Sequence, residues 1–123
     1  MFAAMQRYLR LRRQDDFRRL RSIGRVWRHP FFILSVTANG LPHNRYGFVI
    51  STQLGNAVVR NRIRRLLREA VRHAHPDLAP GYDMALIARG PVVGQPYPAV
   101  SEAVTRVLQQ AGLWQSSPGE LER

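Results

Sequence analysis

Between residues 57 and 74 apolar side chains recur at Val59, Ile63, Leu66, Leu67, Ala70, Val71 and Ala74. At about 100° per residue these positions share one face, so the stretch predicts an amphipathic helix. A second stripe, Val100, Ala103, Val104, Val107, Leu108 and Ala111, predicts a helix over 98–111, with Pro98 in its first turn and Gly112 at its end. QDDFRRLRSIG reads as a short helix, capped by Asp15 or Asp16 and stopped by Gly24, since glycine accepts the left-handed conformation cheaply. RVWRHPFFILSVTA suits one or two strands broken near Pro30, NGLPHNR is turn chemistry, and YGFVIST is a further β-rich run. Together they read as a hairpin. YDMALIARG is another strand, closed by Gly90 and Pro91. Residues 1–13 are basic without a clear period and read as a flexible arm. Residues 14–113 read as one α+β domain, and the polar residues 114–123 as a disordered tail.

The polar side of the 57–74 helix is unusual. Asn61, Arg65, Arg68 and Arg72 lie within about 60° of one another, opposite the apolar face. Arg60, Arg62 and Arg64 flank them, and Glu69 is the one acid between Arg60 and Arg72, able to pair with Arg65, Arg72 or His73. A merely solvated helix face normally mixes signs so that i,i+4 pairs form. Uncompensated arginines repel one another, which makes phosphate binding the better account of this ridge.

Charge over the whole chain agrees. Nineteen basic residues face eight acidic ones, a net charge of +11 over 123 residues. Such a surplus on a single small domain points to a polyanion, most commonly nucleic acid. Every basic residue is arginine, whose guanidinium favours bidentate phosphate contacts and stacking on bases. There is no cysteine, so disulfides and thiolate chemistry are excluded and a reducing, cytoplasmic setting fits. No apolar run approaches the roughly 18 residues of a membrane span. His73 and His75, two apart on a helix, point in different directions and lack an acid pair to complete a metal shell. The acids are scattered, so no constellation for an independent nuclease site emerges.

Residues alone lead to RNA or DNA. The segment LGNAVVRNRIRRLLREAVR resembles the RNR motif of the protein subunit of bacterial ribonuclease P, through Gly55, Asn56, Ala57, Val58, Arg60, Asn61, Arg62, Arg64, Arg65, Arg68 and Glu69. DDFRRLRSIG resembles that family's early helix, RYGFVIS the strand leading into the motif, and YDMALIARGP the strand after it. The resemblance covers roughly residues 11 to 113. It implies an α-β-β-β-α-β-α domain with a four-stranded sheet packed against helices and a left-handed βαβ crossover (ribosomal protein S5 domain 2-like). It also implies a function: binding the catalytic RNA subunit and the 5′ leader of precursor tRNA while the RNA, with Mg2+, removes the leader by hydrolysis. No cofactor would be bound by the protein itself, and no membrane or DNA partner is implied.

By the same resemblance the RNA-binding set is Arg60, Asn61, Arg62, Arg64, Arg65, Arg68 and Arg72, with Arg12 and Arg13 from the arm. The leader cleft would take Phe17, Arg21, Phe32, Leu34 and Ser51. Phe32 is preferred to Phe31 because it shares strand parity with Leu34 and Val36. Phe17 also suits a simple core anchor beside Leu20, while Trp27 and Trp114 read as packing groups. The chain departs from the family pattern at Thr52-Gln53, where many members have two lysines, at Arg21, where an aromatic is common, and at Leu34, where a tyrosine can line the cleft. Fewer aromatics would weaken base stacking, although Arg21 can stack through its planar guanidinium. The rival readings are a ribosomal or general RNA chaperone protein unconnected with tRNA processing, and a helix-turn-helix DNA binder. The latter is disfavoured because no second helix lies 3–4 residues before residue 57.

Overall fold

The computed structural model describes residues 9–11 and 13–115, with the side chain of Arg21 left aside. The arm up to residue 8, Arg12 and the tail from residue 116 therefore lie outside the described residues. The elements run α1 (Gln14–Ile23), β1 (Arg25–Arg28), β2 (Phe32–Ala38), β3 (Arg45–Val49), α2 (Ala57–Ala74), β4 (Tyr82–Ala88) and α3 (Tyr97–Gln110). Single 3-10 turns at Thr52–Leu54, His75–Asp77 and Gly90–Val92 join them.

The sheet order is β1-β2-β4-β3. β1 and β2 form an antiparallel hairpin around His29-Pro30, and β4 pairs antiparallel with β2 and parallel with β3. The expected hairpin between β2 and YGFVIST is therefore corrected, because β4 is inserted between the two strands. The 39–44 connection thus spans the width of a third strand. Its ends are held by polar side chains: Asn39 Nδ2 donates to Asp83 Oδ1 at 2.9 Å, and Asn44 Oδ1 accepts from Tyr82 N at 2.8 Å.

One face of the sheet carries α2 and α3. Ile63, Leu66, Leu67, Ala70, Val71 and Ala74 of α2 and Val100, Ala103, Val104, Val107 and Leu108 of α3 pack onto Phe32, Leu34, Val36, Tyr46, Met84 and Leu86. Each large apolar side chain fully buried here contributes roughly 1.5–3 kcal/mol. Among the described residues α1 is the one helix on the other face, where Leu20 packs with Leu11 and Ala85, and Phe17 and Ile87 close the margin.

Two details at α1 differ from expectation. Asp15 and Asp16 lie in the first turn, where they favour the positive end of the helix dipole, but the cap residue is Arg13 and no side chain caps the helix. Asp15 pairs instead with Arg18 at 3.2 Å, and Asp16 with Arg45 at 3.4 Å. Gly24 does end α1, yet with φ −68° rather than in the left-handed region. Glycine is needed there for space, since a Cβ would strike the Leu20 carbonyl and Ser35 Oγ.

Candidate nucleic-acid interface

Asn56 starts α2 by accepting from Val59 N at 3.0 Å, so the arginine ridge begins one turn beyond a well-made cap. Asn61, Arg62 and Arg65 are exposed, while Arg64 and Arg68 are half-buried at the flank nearest β3. Arg60 Nε donates to the Gly55 carbonyl at 3.1 Å, and Arg62 donates to the Gln95 carbonyl at 3.1 Å, tying α2 to the loop after β4. Arg64 donates to Asn61 Oδ1 at 3.2 Å. Arg72 differs from its neighbours. It makes a two-pronged pair with buried Glu69, at 2.9 and 2.7 Å, and His73 joins the same carboxylate at 2.8 Å. Hydrogen bonding from Arg72 holds the Glu69 carboxyl below its usual range. Arg72 is thus charge-compensated, and the uncompensated part of the ridge lies toward the N-terminal half of α2.

That half meets another cation. The backbone of Arg10 and Leu11 runs along the free edge of β3, with Leu11 N donating to the Tyr46 carbonyl at 2.7 Å. Arg10, Arg64 and Arg68 thereby converge on a hollow of about 160 Å³ that is also lined by Phe17 and Phe48. Burial, followed by the charges of Arg10 and Arg64, lowers the Arg68 pKa. Guanidinium groups held together without a lining carboxylate form a site for a polyanion. Aromatic rings beside them add a surface on which bases stack.

The open groove lies on the α1 face of the sheet. Across it, Val26, Ser35, Ala85 and Gly47 form one row and Arg28, Ile33, Ile87 and Val49 the next. α1 covers the small residues of the first row, whereas Val49 is 39% exposed and Ile33 and Ile87 are half-buried. Phe17 overhangs this face at the β3 edge. Arg13 is exposed at the start of α1, and Ser51 is exposed just past Val49, where its Oγ accepts from Gln53 N at 3.2 Å.

Two predicted cleft residues are misplaced. Phe32 and Leu34 are 1% and 0% exposed beneath α2 and α3, so they belong to the core and not to the groove. Strand parity puts Ile33 and Ser35 on the groove side instead. The signal available in the sequence was the small residues Ser35, Gly47 and Ala85, which permit close approach of a single covering helix. Arg10, Phe48 and Val49 at the same edge were not singled out in the sequence, because their placement depends on β3 being an edge strand. Arg12 and the side chain of Arg21 lie outside the described residues.

Among the described residues five carboxylates pair with arginines: Asp15 with Arg18, Asp83 and Asp16 together with Arg45, Glu69 with Arg72, and Glu102 with Arg106 at 4.0 Å. Among the described residues no three His, Cys, Asp or Glu side chains come together as a metal site. His73 turns to Glu69, whereas His75 Nδ1 is hydrogen-bonded to the Tyr46 hydroxyl at 2.7 Å.

Comparison with known proteins decides the family. The family model for Ribonuclease P matches residues 5–112. The ribonuclease P protein component of Roseiflexus castenholzii is 43% identical over 117 residues, covering 94% of this chain and 96% of its own. The chain belongs to the ribonuclease P protein family. The corresponding component of Herpetosiphon aurantiacus is 44% identical over 110 residues, 89% of each chain. Among solved ribonuclease P proteins, that of Staphylococcus aureus superposes with a TM-score of 0.80 at 28% identity, covering 87% of this chain and 98% of that one. That of Thermotoga maritima gives 0.76 at 26% identity, covering 82% and 96%. Membership makes the chain a component of an endoribonuclease and disfavours the general RNA-chaperone reading. The mixed four-stranded sheet with three helices is the α+β fold of these relatives.

Proposed function

We propose that the chain holds the catalytic RNA of ribonuclease P through the α2 ridge and grips the 5′ leader of precursor tRNA on the α1 face of the sheet. The observation carrying this reading is the meeting of the two surfaces at the β3 edge, where Arg10, Arg64 and Arg68 stand beside Phe17 and Phe48. Asn61, Arg62 and Arg65 extend the cationic surface along α2, with Arg60 at its start. Arg13 and Phe17 lead from it to Ile33, Ile87 and Val49, and Ser51 stands at the groove's end. A leader strand lying there would pass from arginines, which neutralise phosphates, to rings and aliphatic side chains, which accept base faces in any sequence.

Hydrolysis is assigned to the RNA, with Mg2+ bound by the RNA, since among the described residues no three metal-ligating side chains come together and most carboxylates pair with arginines. The protein contributes charge neutralisation and positioning, in the cytoplasm, a compartment that suits a chain without cysteine. Reconstitution tests this directly. Cleavage of precursor tRNA by the cognate RNA should be faster with the protein than without it at limiting substrate. Equal rates with and without bound protein would overturn the proposal.

A further inference from the structure

A larger hollow, about 420 Å³, opens at the opposite edge of the sheet from the α2 ridge. Its origin is topological. β1 pairs only with residues 33–36 of β2, so Thr37 and Ala38 extend two residues beyond it, and the chain after α3 turns away at Gly112. The missing corner is walled by Trp27 and Tyr82, floored by Val36 and Leu113, and has Arg25 at its rim. The Arg25 guanidinium stands 5.2 Å from the centre of the Trp27 ring. Arg19 of α1, outside the lining of the hollow, donates to the Ala38 carbonyl. That contact occupies a backbone acceptor that an added peptide strand would need, which argues against strand addition. Among the described residues no carboxylate lines the hollow. Asp83, which pairs with Thr37 across the strands, is held by Arg45 and Asn39 on the other face.

The volume is in the range of small-molecule sites, with aromatic and aliphatic walls and one cation at the rim. A flat π-system attached to a phosphate matches that combination. We propose that this corner is a second RNA contact, which takes one unpaired nucleotide with its base against Trp27 and Tyr82 and its phosphate at Arg25. The protein would then touch RNA at both sheet edges. The proposal does not rest on the precursor tRNA reading, because this site and the α2 ridge share no residue.

Adenosine 5′-monophosphate is the probe, added to the full chain carrying Trp114→Phe so that Trp27 is the remaining tryptophan. Trp27 emission should be quenched saturably. Arg25→Gln should weaken the affinity at least threefold, whereas Arg65→Ala with Arg68→Ala should leave it unchanged. Ribose 5-phosphate should produce no comparable quench. If Trp114→Phe does not fold, the indole N–H signals of the unsubstituted protein in NMR serve instead, with Trp27 moving and Trp114 not. Absence of saturable quenching, equal effects of ribose 5-phosphate, or loss of the response in the Arg65/Arg68 variant would each overturn the proposal. So would a self-associated form, paired along β1, that excludes the nucleotide.

Discussion

The ring of Phe17 occupies the space that a side chain on Gly47 would fill. A Cβ at Gly47 would meet the Phe17 ring and come within 3.1 Å of the Leu11 Cβ. This contact seats α1 over β3 and fixes the ring at the mouth of the groove. Gly47→Ala should therefore destabilise the protein by about 1–3 kcal/mol through overpacking, and displace the ring. Urea unfolding gives the first quantity, and the change in affinity for a single-stranded RNA gives the second. An unchanged unfolding midpoint would mean that α1 does not sit tightly on β3.

Leu67 is fully buried where α2 meets the sheet and α3. Leu67→Ala should cost about 2–5 kcal/mol, as expected for a leucine truncated in a packed core. A loss below about half a kcal/mol would place α2 away from the sheet, contrary to that range.

α2 and α3 were legible in the sequence because a 3.6-residue period sustained over many residues has one reading. The register of the sheet was not. In Phe32-Ile33-Leu34-Ser35-Val36 both faces of the strand are covered, so apolar residues occupy both parities and alternation says little about which side faces two helices. Ser35 is the one polar residue there, and it marks the side covered by α1, where its Oγ donates to the Leu20 carbonyl at 3.1 Å. The insertion of β4 between β2 and β3 is a long-range pairing that no local pattern encodes. At the interface, the arginine ridge followed from spacing alone, but the pairing of Arg72 with Glu69 was one of three open choices. The contribution of Arg10 depended on the chain running along the β3 edge.

Stability should depend on pH in two separate windows. Burial, then Arg106, lowers the pKa of His29, and burial, then His43, lowers that of His75, both from an ordinary value of 6.5. Tyr46, whose hydroxyl is pushed up to about 12 by burial, stays protonated throughout and lies 2.7 Å from His75 Nδ1. As pH falls below 6.5 the unfolded chain takes up these protons before the folded one does, so stability declines until the folded histidines titrate as well. Glu69 acts lower, because its pairing stabilises the fold above 4.5 and is lost as pH falls through its depressed folded value. Urea midpoints from neutral to acidic pH should show both steps. His29→Gln with His75→Gln should flatten the upper one alone, and persistence of the upper step in that variant would contradict the assignment.

The exposed ridge should set the salt dependence of binding to the catalytic RNA. Arg65→Ala and Arg68→Ala should each reduce the slope of log affinity against log salt by roughly 0.7–0.9, the value of one released counterion contact. Circular dichroism should remain native. An unchanged slope would show that these side chains do not reach phosphate.

The central claim is that one protein surface joins the catalytic RNA to the leader. The most direct measurement is the affinity of the reconstituted enzyme for precursor tRNA as the leader is lengthened from none to several nucleotides, with and without the protein. Affinity should rise with leader length only when the protein is present. Phe17→Ala should reduce that gain by up to about 1–3 kcal/mol, one stacked base, and leave the affinity for mature tRNA nearly unchanged. Equal affinity at every leader length with the protein bound would contradict the account.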